Sequence, residues 1–316
     1  MKSRTLLLLM LALGMAPALY AEITLPRWFL PIKHWVDVSD STGCDTAYVK
    51  LAEEGFIAYL NHWSTGTWVH AGVDPSLAST SSLTTATHPS QSLSLSVAYR
   101  GWGLSYAFTR DNAWCDDDFT YSFNARRYGL DYRYHSTRSL GDDARAGRMR
   151  TTSATAYWVF QRRYFSHPGA MLHTTYQLRS AGSWLAGVNY WHGSFRSYAL
   201  EGSVPFSRLS FSHINIGAGY AYNYVFGQRH CLLHASLIPM LNVWHRNRLY
   251  NTMADGRRLH QSLSLDAVSR VGFVYNFDRY LMGVQYCFDY SFSPCEESLV
   301  VHALDYTQRF FVGVRF

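Results

Sequence analysis

The chain has 316 residues, with 28 Lys and Arg against 22 Asp and Glu, a formal charge of +6, and 16% aromatic residues that include 23 Tyr and 10 Trp. A mean hydropathy of −0.14, with no apolar run of 18 residues, excludes a spanning helix. A transmembrane β-barrel is not excluded, because alternating strands leave hydropathy near zero. The arginines are spread along strand-like runs, with no basic helix or aromatic platform, so nucleic acid is not an expected partner and an anionic envelope surface is.

Residues 1–21 read as a cleaved secretory signal. Lys2 and Arg4 precede an apolar core from Leu6 to Leu13, and Ala16-Pro17-Ala18 or Leu19-Tyr20-Ala21 supplies the small-residue cleavage site. The core is too short to span a bilayer, and the first cysteine is Cys44, so a lipoprotein anchor is not expected. Residues 22–53, with Pro26, Pro31 and a Ser-Asp-Ser-Thr-Gly run at 39–43, read as an irregular periplasmic lead-in. From 54 to 316 strands alternate with connections, at 54–64, 91–99, 102–110, 119–136, 149–163, 168–179, 183–196, 208–226, 229–245, 260–277, 279–293 and 299–316. The fold expected is all-β: a monomeric, antiparallel up-and-down transmembrane barrel of about twelve strands, ten to fourteen being compatible with the pattern.

The period-two alternation is clearest toward the C-terminus. In 208–226 one face carries Ile214, Ile216, Ala218, Tyr220, Tyr222, Tyr224 and Phe226, and the other His213, Asn215, Gly217, Gly219 and Asn223. In the last strand Phe310, Val312, Val314 and Phe316 share a face, and Asp305, Arg309 and Arg315 lie on the other. Such runs suit one face in lipid and one in a wet lumen, not a helix of period 3.6. Tight turns are expected at Arg100-Gly101, Ser180-Ala181-Gly182, Gly227-Gln228 and Asp278-Arg279, and longer polar loops at 65–90, 111–118, 197–207, 246–259 and 294–298. Short turns belong to the periplasm and long loops to the outside, which puts Phe316 at the periplasmic end. The stretch 137–148 breaks this rule: either it is an unusually long periplasmic loop, or the strand count near it is off.

The segment Tyr164-Phe165-Ser166-His167-Pro168-Gly169-Ala170, with Gln177-Leu178-Arg179-Ser180-Ala181-Gly182-Ser183, resembles the core signature of an uncharacterised Bacteroidetes family, domain of unknown function 4421. Asp45-Thr46-Ala47-Tyr48-Val49 is similar to the segment that opens its domain, and Leu178 departs from the basic residue expected there. The resemblance implies an outer-membrane barrel. It supplies no activity and no catalytic residues.

Chemistry is sparse. Five cysteines (Cys44, Cys115, Cys231, Cys287, Cys295) leave at least one unpaired, and only Cys115 with Cys295, both assigned to outer loops, form a candidate bridge. The 14 histidines contain no His-x-His, and His230 and His234 are separated by about 13 Å of strand, so no metal or cofactor is expected. For a lipid hydrolase, His192 and Ser194 are the best Ser–His pair, near the outer interface, but residues two apart point in parallel and no acid accompanies them. Asp116-Asp117-Asp118 reads as a solvated outer loop without a calcium-loop pattern. Asp266, Arg270, Asp289, Asp305, Arg309 and Arg315 are the expected lumen-lining charges. With Trp158, Phe160, Leu185, Trp191 and Phe311 also assigned inward, a largely filled lumen is favoured. The row Phe310, Val312, Val314 and Phe316 is the expected C-terminal signal for barrel-assembly machinery. The expected role is a structural, interaction or envelope-assembly component of the outer membrane, touching its lipids and lipopolysaccharide and an unnamed envelope partner. A narrow solute channel is the alternative, and a lipid-modifying hydrolase the third reading.

Overall fold

The computed structural model describes residues 43–52, 55–73, 83–86, 90–110, 114–125, 127–139, 147–197, 208–250, 256–259, 264–294 and 299–316. The secretory signal expected at 1–21 and most of the lead-in expected at 22–53 lie outside these residues. Twelve long strands form one closed antiparallel barrel. They are β1 (Phe56–Val73), β2 (Ser90–Tyr99), β3 (Trp102–Arg110), β4 (Trp114–Asn124), β5 (Tyr128–Ser139) and β6 (Gly147–Val159). β7 (Ala181–Ser197), β8 (Arg208–Phe226), β9 (Cys231–Tyr250), β10 (Leu265–Phe277), β11 (Tyr280–Pro294) and β12 (Leu299–Arg315) complete it. Each strand pairs with its sequence neighbour, and β12 closes on β1 from Leu299↔Val73 to Arg315↔Ile57. Closure leaves no open edge among these strands, which a barrel in lipid requires.

The count of twelve is right, but two of the strands differ from those expected. The stretch 119–136 is two strands, β4 and β5, joined across 125–127. That turn lacks Gly and Pro. It is set by the neighbouring hairpin, where Asn124 donates its N–H to the Gly101 carbonyl at 2.6 Å and a Cβ on Gly101 would lie 2.5 Å from the Asn124 oxygen. The stretch 168–179 is no barrel strand: it holds a short helix, α1 (His167–Met171), and a three-residue strand, Thr175–Gln177. The predicted turn at Ser180-Ala181-Gly182 is the start of β7 instead. With these corrections the residues between β5 and β6 fall at the long-loop end, and 137–148 no longer breaks the alternation. Asp117 and Asp118 belong to β4, not to a loop. Part of the expected 65–90 loop continues β1, part of 246–259 continues β9, and Val49–Leu51, in the supposedly irregular lead-in, forms a strand.

Alternation sorts side chains as expected along β8, where Ile216, Tyr220, Tyr222, Tyr224 and Phe226 are exposed and His213, Asn215 and Asn223 buried. From Ile214 to Phe226 the apolar face of β8 covers about 40 Å of strand, which at a tilt near 45° crosses about 28 Å, the height of a bilayer core. Trp158 and Phe160, expected inward, are 42% and 57% exposed, whereas Leu185, Trp191 and Phe311 are buried. Trp158 shares the outward parity of β6 and stands beside Tyr128 on β5, in the aromatic girdle at the short-turn end.

Candidate functional site

Between β6 and β7 the chain does not make a short turn. Residues 160–180 fold back into the short-turn mouth of the barrel and fill it. The local sequence explains the helix: the Ser166 hydroxyl caps it by accepting from the Gly169 N–H at 3.1 Å, and Pro168 sits in its first turn, where its missing N–H costs nothing. After Leu172 the chain turns at His173, whose φ is 57°. Thr175–Gln177 then pairs antiparallel with Val49–Leu51, so the segment preceding the barrel is laced to the plug. Gln177 is the internal clamp: its amide donates to the carbonyls of Tyr164 (2.6 Å), Arg179 (2.9 Å) and Tyr48 (3.4 Å). Its side-chain oxygen accepts from the Ser166 N–H at 2.8 Å.

The barrel wall holds the plug through polar side chains aimed inward. Tyr59 of β1 donates to the Leu172 carbonyl, and Gln285 of β11 donates to the carbonyls of Met171 (2.9 Å) and Ala170 (3.2 Å). Asn223 of β8 donates to the Ser166 carbonyl at 2.9 Å. Arg315 of β12, with no exposed surface, donates to the His173 carbonyl (3.2 Å) and Asn276 Oδ1 (2.6 Å) and lies over the Tyr176 ring. A Cβ on Gly103 of β3 would lie 2.5 Å from a Leu172 methyl, so glycine there makes room for the plug. His167 reaches Tyr157 of β6 (3.0 Å) and Asn124 of β4 (3.1 Å), with His234 of β9 edge-on 5.5 Å away. Burial, reinforced by the Arg270 guanidinium, pushes His167 down to about 3. Burial, and then Arg309 and Arg315, hold His173 well below its ordinary value. Both imidazoles are neutral hydrogen-bonding groups at neutral pH.

Beyond the plug, the lumen is crossed by ion pairs and hydrogen bonds. Asp289 joins Arg133 and Arg270, the latter at 2.8 Å, and accepts from Ser153 at 3.2 Å. Asp305 accepts from Thr151 (3.1 Å) and Thr67 (3.3 Å). Asp266 accepts from Asn215 and lies 3.8 Å from His213. Asp118 and His135 meet at 2.5 Å. Arg309 stacks over Tyr59 and Phe311. Leu185, Ala221, Ile238, Met240 and Val268 pack with Phe165 of the plug into an apolar cluster inside the barrel. One cavity of about 70 Å³ lies beside the plug, bordered by Tyr59, Asp131, Arg133, Arg270, Cys287 and Arg309. That suits a few waters.

The six expected lumen charges therefore come to one interior, though not to one cluster, and Arg315 serves the plug. Sequence reasoning missed Asp131, Arg133 and His135, which the misread strand 119–136 obscured, and put Asp118 in an outer loop; it also missed the plug, although Ser166-His167-Pro168 is a helix-start signal. His192 Nδ1 lies 2.8 Å from Ser212 of β8, not against Ser194, which is paired in register with Arg150 and Ser210. His230 lies in the turn before β9 and accepts no metal-like arrangement with His234; among the described residues no group of His, Cys, Asp or Glu could hold a metal ion. Cys44, Cys231 and Cys287 are free thiols, and the candidate Cys115–Cys295 bridge lies outside the described side chains. Phe310 and Val312 point out into the lipid position, and Phe316 stacks on Phe56.

A family model described as a domain of unknown function, DUF4421, matches residues 43–316. The chain belongs to this family. The matched region of the DUF4421 chain starts just before the strand that laces the plug and takes in the whole barrel. Among solved structures, the DUF4421 barrel is similar to the outer membrane protease OmpT of Escherichia coli, at 6% identity and a TM-score of 0.38, covering 84% of this chain and 98% of that one. It is also similar to the translocator domain of the autotransporter NalP of Neisseria meningitidis, at 14% identity and a TM-score of 0.32 over 95% and 100%. The toluene transporter TodX of P. putida follows at 8% identity and 0.27, over 84% and 91%. No curated protein matches the chain. The fold is that of a bacterial outer-membrane β-barrel.

Proposed function

We propose that this protein is a sealed outer-membrane barrel that works as an anchored structural or envelope-assembly component, not as a pore. The observation that carries this reading is the plug of residues 160–180, gripped by Tyr59, Asn124, Tyr157, Asn223, Gln285 and Arg315 from different strands. A segment tied to several strands around the barrel supports an obstructed water path at that mouth. The same end offers a surface to a periplasmic partner: Tyr48 and Tyr164 meet edge-on at 4.9 Å, flanked by Arg179 and Arg163 over their rings. Purified protein in planar bilayers is expected to give no unitary conductance. Stable single-channel steps from the wild type would overturn the sealed reading and favour a narrow channel.

Export and insertion belong to the same proposal. A mature protein beginning at Leu19 or Glu22, seen by intact mass, supports the leader over the first residues; an uncleaved Met1 argues against it. Replacing Phe310, Val312 and Phe316 by Ser is expected to lower the amount of folded barrel in outer-membrane fractions, which unchanged levels would contradict.

A further inference from the structure

At the long-loop end, the outward faces of β5 to β9 carry a built array of arginines. The ladder registers align Arg138↔Arg148, Arg148↔Arg196, Arg196↔Arg208 and Arg208↔Tyr250, a single row of four arginines ending on a tyrosine. Arg208 lies over that Tyr250 ring at 5.3 Å. The next row inward toward the membrane reads Ser136, Arg150, Ser194, Ser210, Arg248, and the one after it Tyr134, Thr152, His192, Ser212, Arg246. Arg138, Arg150, Arg196 and Arg246 are exposed, and among the described residues no ion pair engages any of the seven arginines. Asp117 stands at one flank, opposite Ser136 in register and hydrogen-bonded to Tyr106.

Facing side chains in neighbouring strands sit about 5 Å apart, and like charges directly opposite destabilise a sheet. Four arginines in succession therefore need an anion. The array lies just above the apolar band, where Tyr190, Ile214 and Trp244 begin the lipid-facing surface. Its ligand must have its charge at the headgroup level and its chains alongside these residues. Planar guanidiniums with nearby hydroxyls match phosphate oxygens.

We propose that this face binds a phosphorylated, multiply acylated glycolipid of the outer leaflet, its phosphates on the Arg138–Arg148–Arg196–Arg208 row and its sugar hydroxyls over Ser194, Ser210, His192 and Ser212. The site does not depend on the lumen being sealed. It gives His192 and Ser212 a binding task in place of a catalytic one.

The test is native mass spectrometry of the full-length protein in detergent, with separate additions of diphosphorylated lipid A, dephosphorylated lipid A, phosphatidylglycerol and inorganic phosphate. The wild type is expected to retain diphosphorylated lipid A at least tenfold more tightly than any other probe, and to lose it as salt rises from 50 to 500 mM. The triple variant R148Q/R196Q/R208Q should bind at least tenfold more weakly, and the triple lysine variant should keep most of the affinity. Both keep the gel mobility of the folded barrel, because the changed side chains touch no core. Equal retention of dephosphorylated lipid A or phosphatidylglycerol, salt-insensitive binding, or full binding by the glutamine variant would each overturn the proposal. Inorganic phosphate binding as tightly as the lipid would overturn it in favour of a soluble anion.

Discussion

Arg315 is a cation with no exposed surface, held by the His173 carbonyl, Asn276 and the Tyr176 ring. Burying it is tolerable because its two terminal nitrogens donate to the His173 and Asp278 carbonyls and to Asn276, and its removal takes that donor from all three acceptors. Arg315→Met is expected to destabilise the barrel by about 3 kcal/mol, read from urea unfolding in detergent, with Arg315→Lys recovering part. A loss too small to resolve would show that the plug does not need this latch. His167 gives a pH signature. Its folded value is depressed to about 3, below an unfolded value near 6.5. Below pH 6.5 the unfolded state binds a proton that the folded state refuses, so stability falls progressively from pH 6.5 toward 3 and is flat above 7. His173 adds to the same slope, so His167→Asn should reduce it in unfolding midpoints measured across the range, and an unchanged slope would assign it to other groups.

At the scale of elements, the plug shows how far local pattern can mislead. Residues 168–179 display an alternation that passes for a strand, yet Ser166 and Pro168 start a helix there and Gln177 ties the following turn through three carbonyls. Gln177→Ala removes the donor shared by those carbonyls. Amide exchange across 164–179 should then accelerate at least tenfold while the β8 and β11 ladders keep their protection. Equal acceleration in the ladders would mean that the plug and barrel open as one unit. The join between β4 and β5 was illegible for a different reason. Its residues carry no Gly or Pro, and contacts distant in sequence place the reversal: Asn124 N–H on the Gly101 carbonyl and Val159 N–H on the Arg127 carbonyl. Facing directions within the strands were legible throughout β8, β10, β11 and β12. Trp158 and Phe160 fall on the wrong side in the sequence reading because both rows of β6 end in apolar residues, Tyr157 and Val159 on one and Trp158 on the other, so hydropathy does not say which faces lipid.

At the scale of the whole molecule, the lumen charges act as cross-braces between distant strands. Asp289 on β11 holds Arg133 on β5 and Arg270 on β10 together. Asp289→Asn removes the carboxylate shared by the buried Arg270 and the half-buried Arg133, which keep only neutral acceptors, and is expected to cost about 3 kcal/mol. Thermal melts of the detergent-solubilised barrel check this; a change within error would mean that water in the adjacent cavity takes over the carboxylate's task.

The sequence by itself determined that strands cross a membrane, which way most of them face and which end carries the short turns, and it bounded their number to between ten and fourteen. Period-two alternation and loop length are local properties, written within a dozen residues at a time. Only the tertiary structure decided that the connection after β6 turns inward into the barrel mouth. That choice rests on Tyr59, Asn223, Gln285 and Arg315, whose partners in the plug lie far from them along the chain. The helix start at Ser166-His167-Pro168 is written locally, but where that segment goes is settled only when the barrel closes around it.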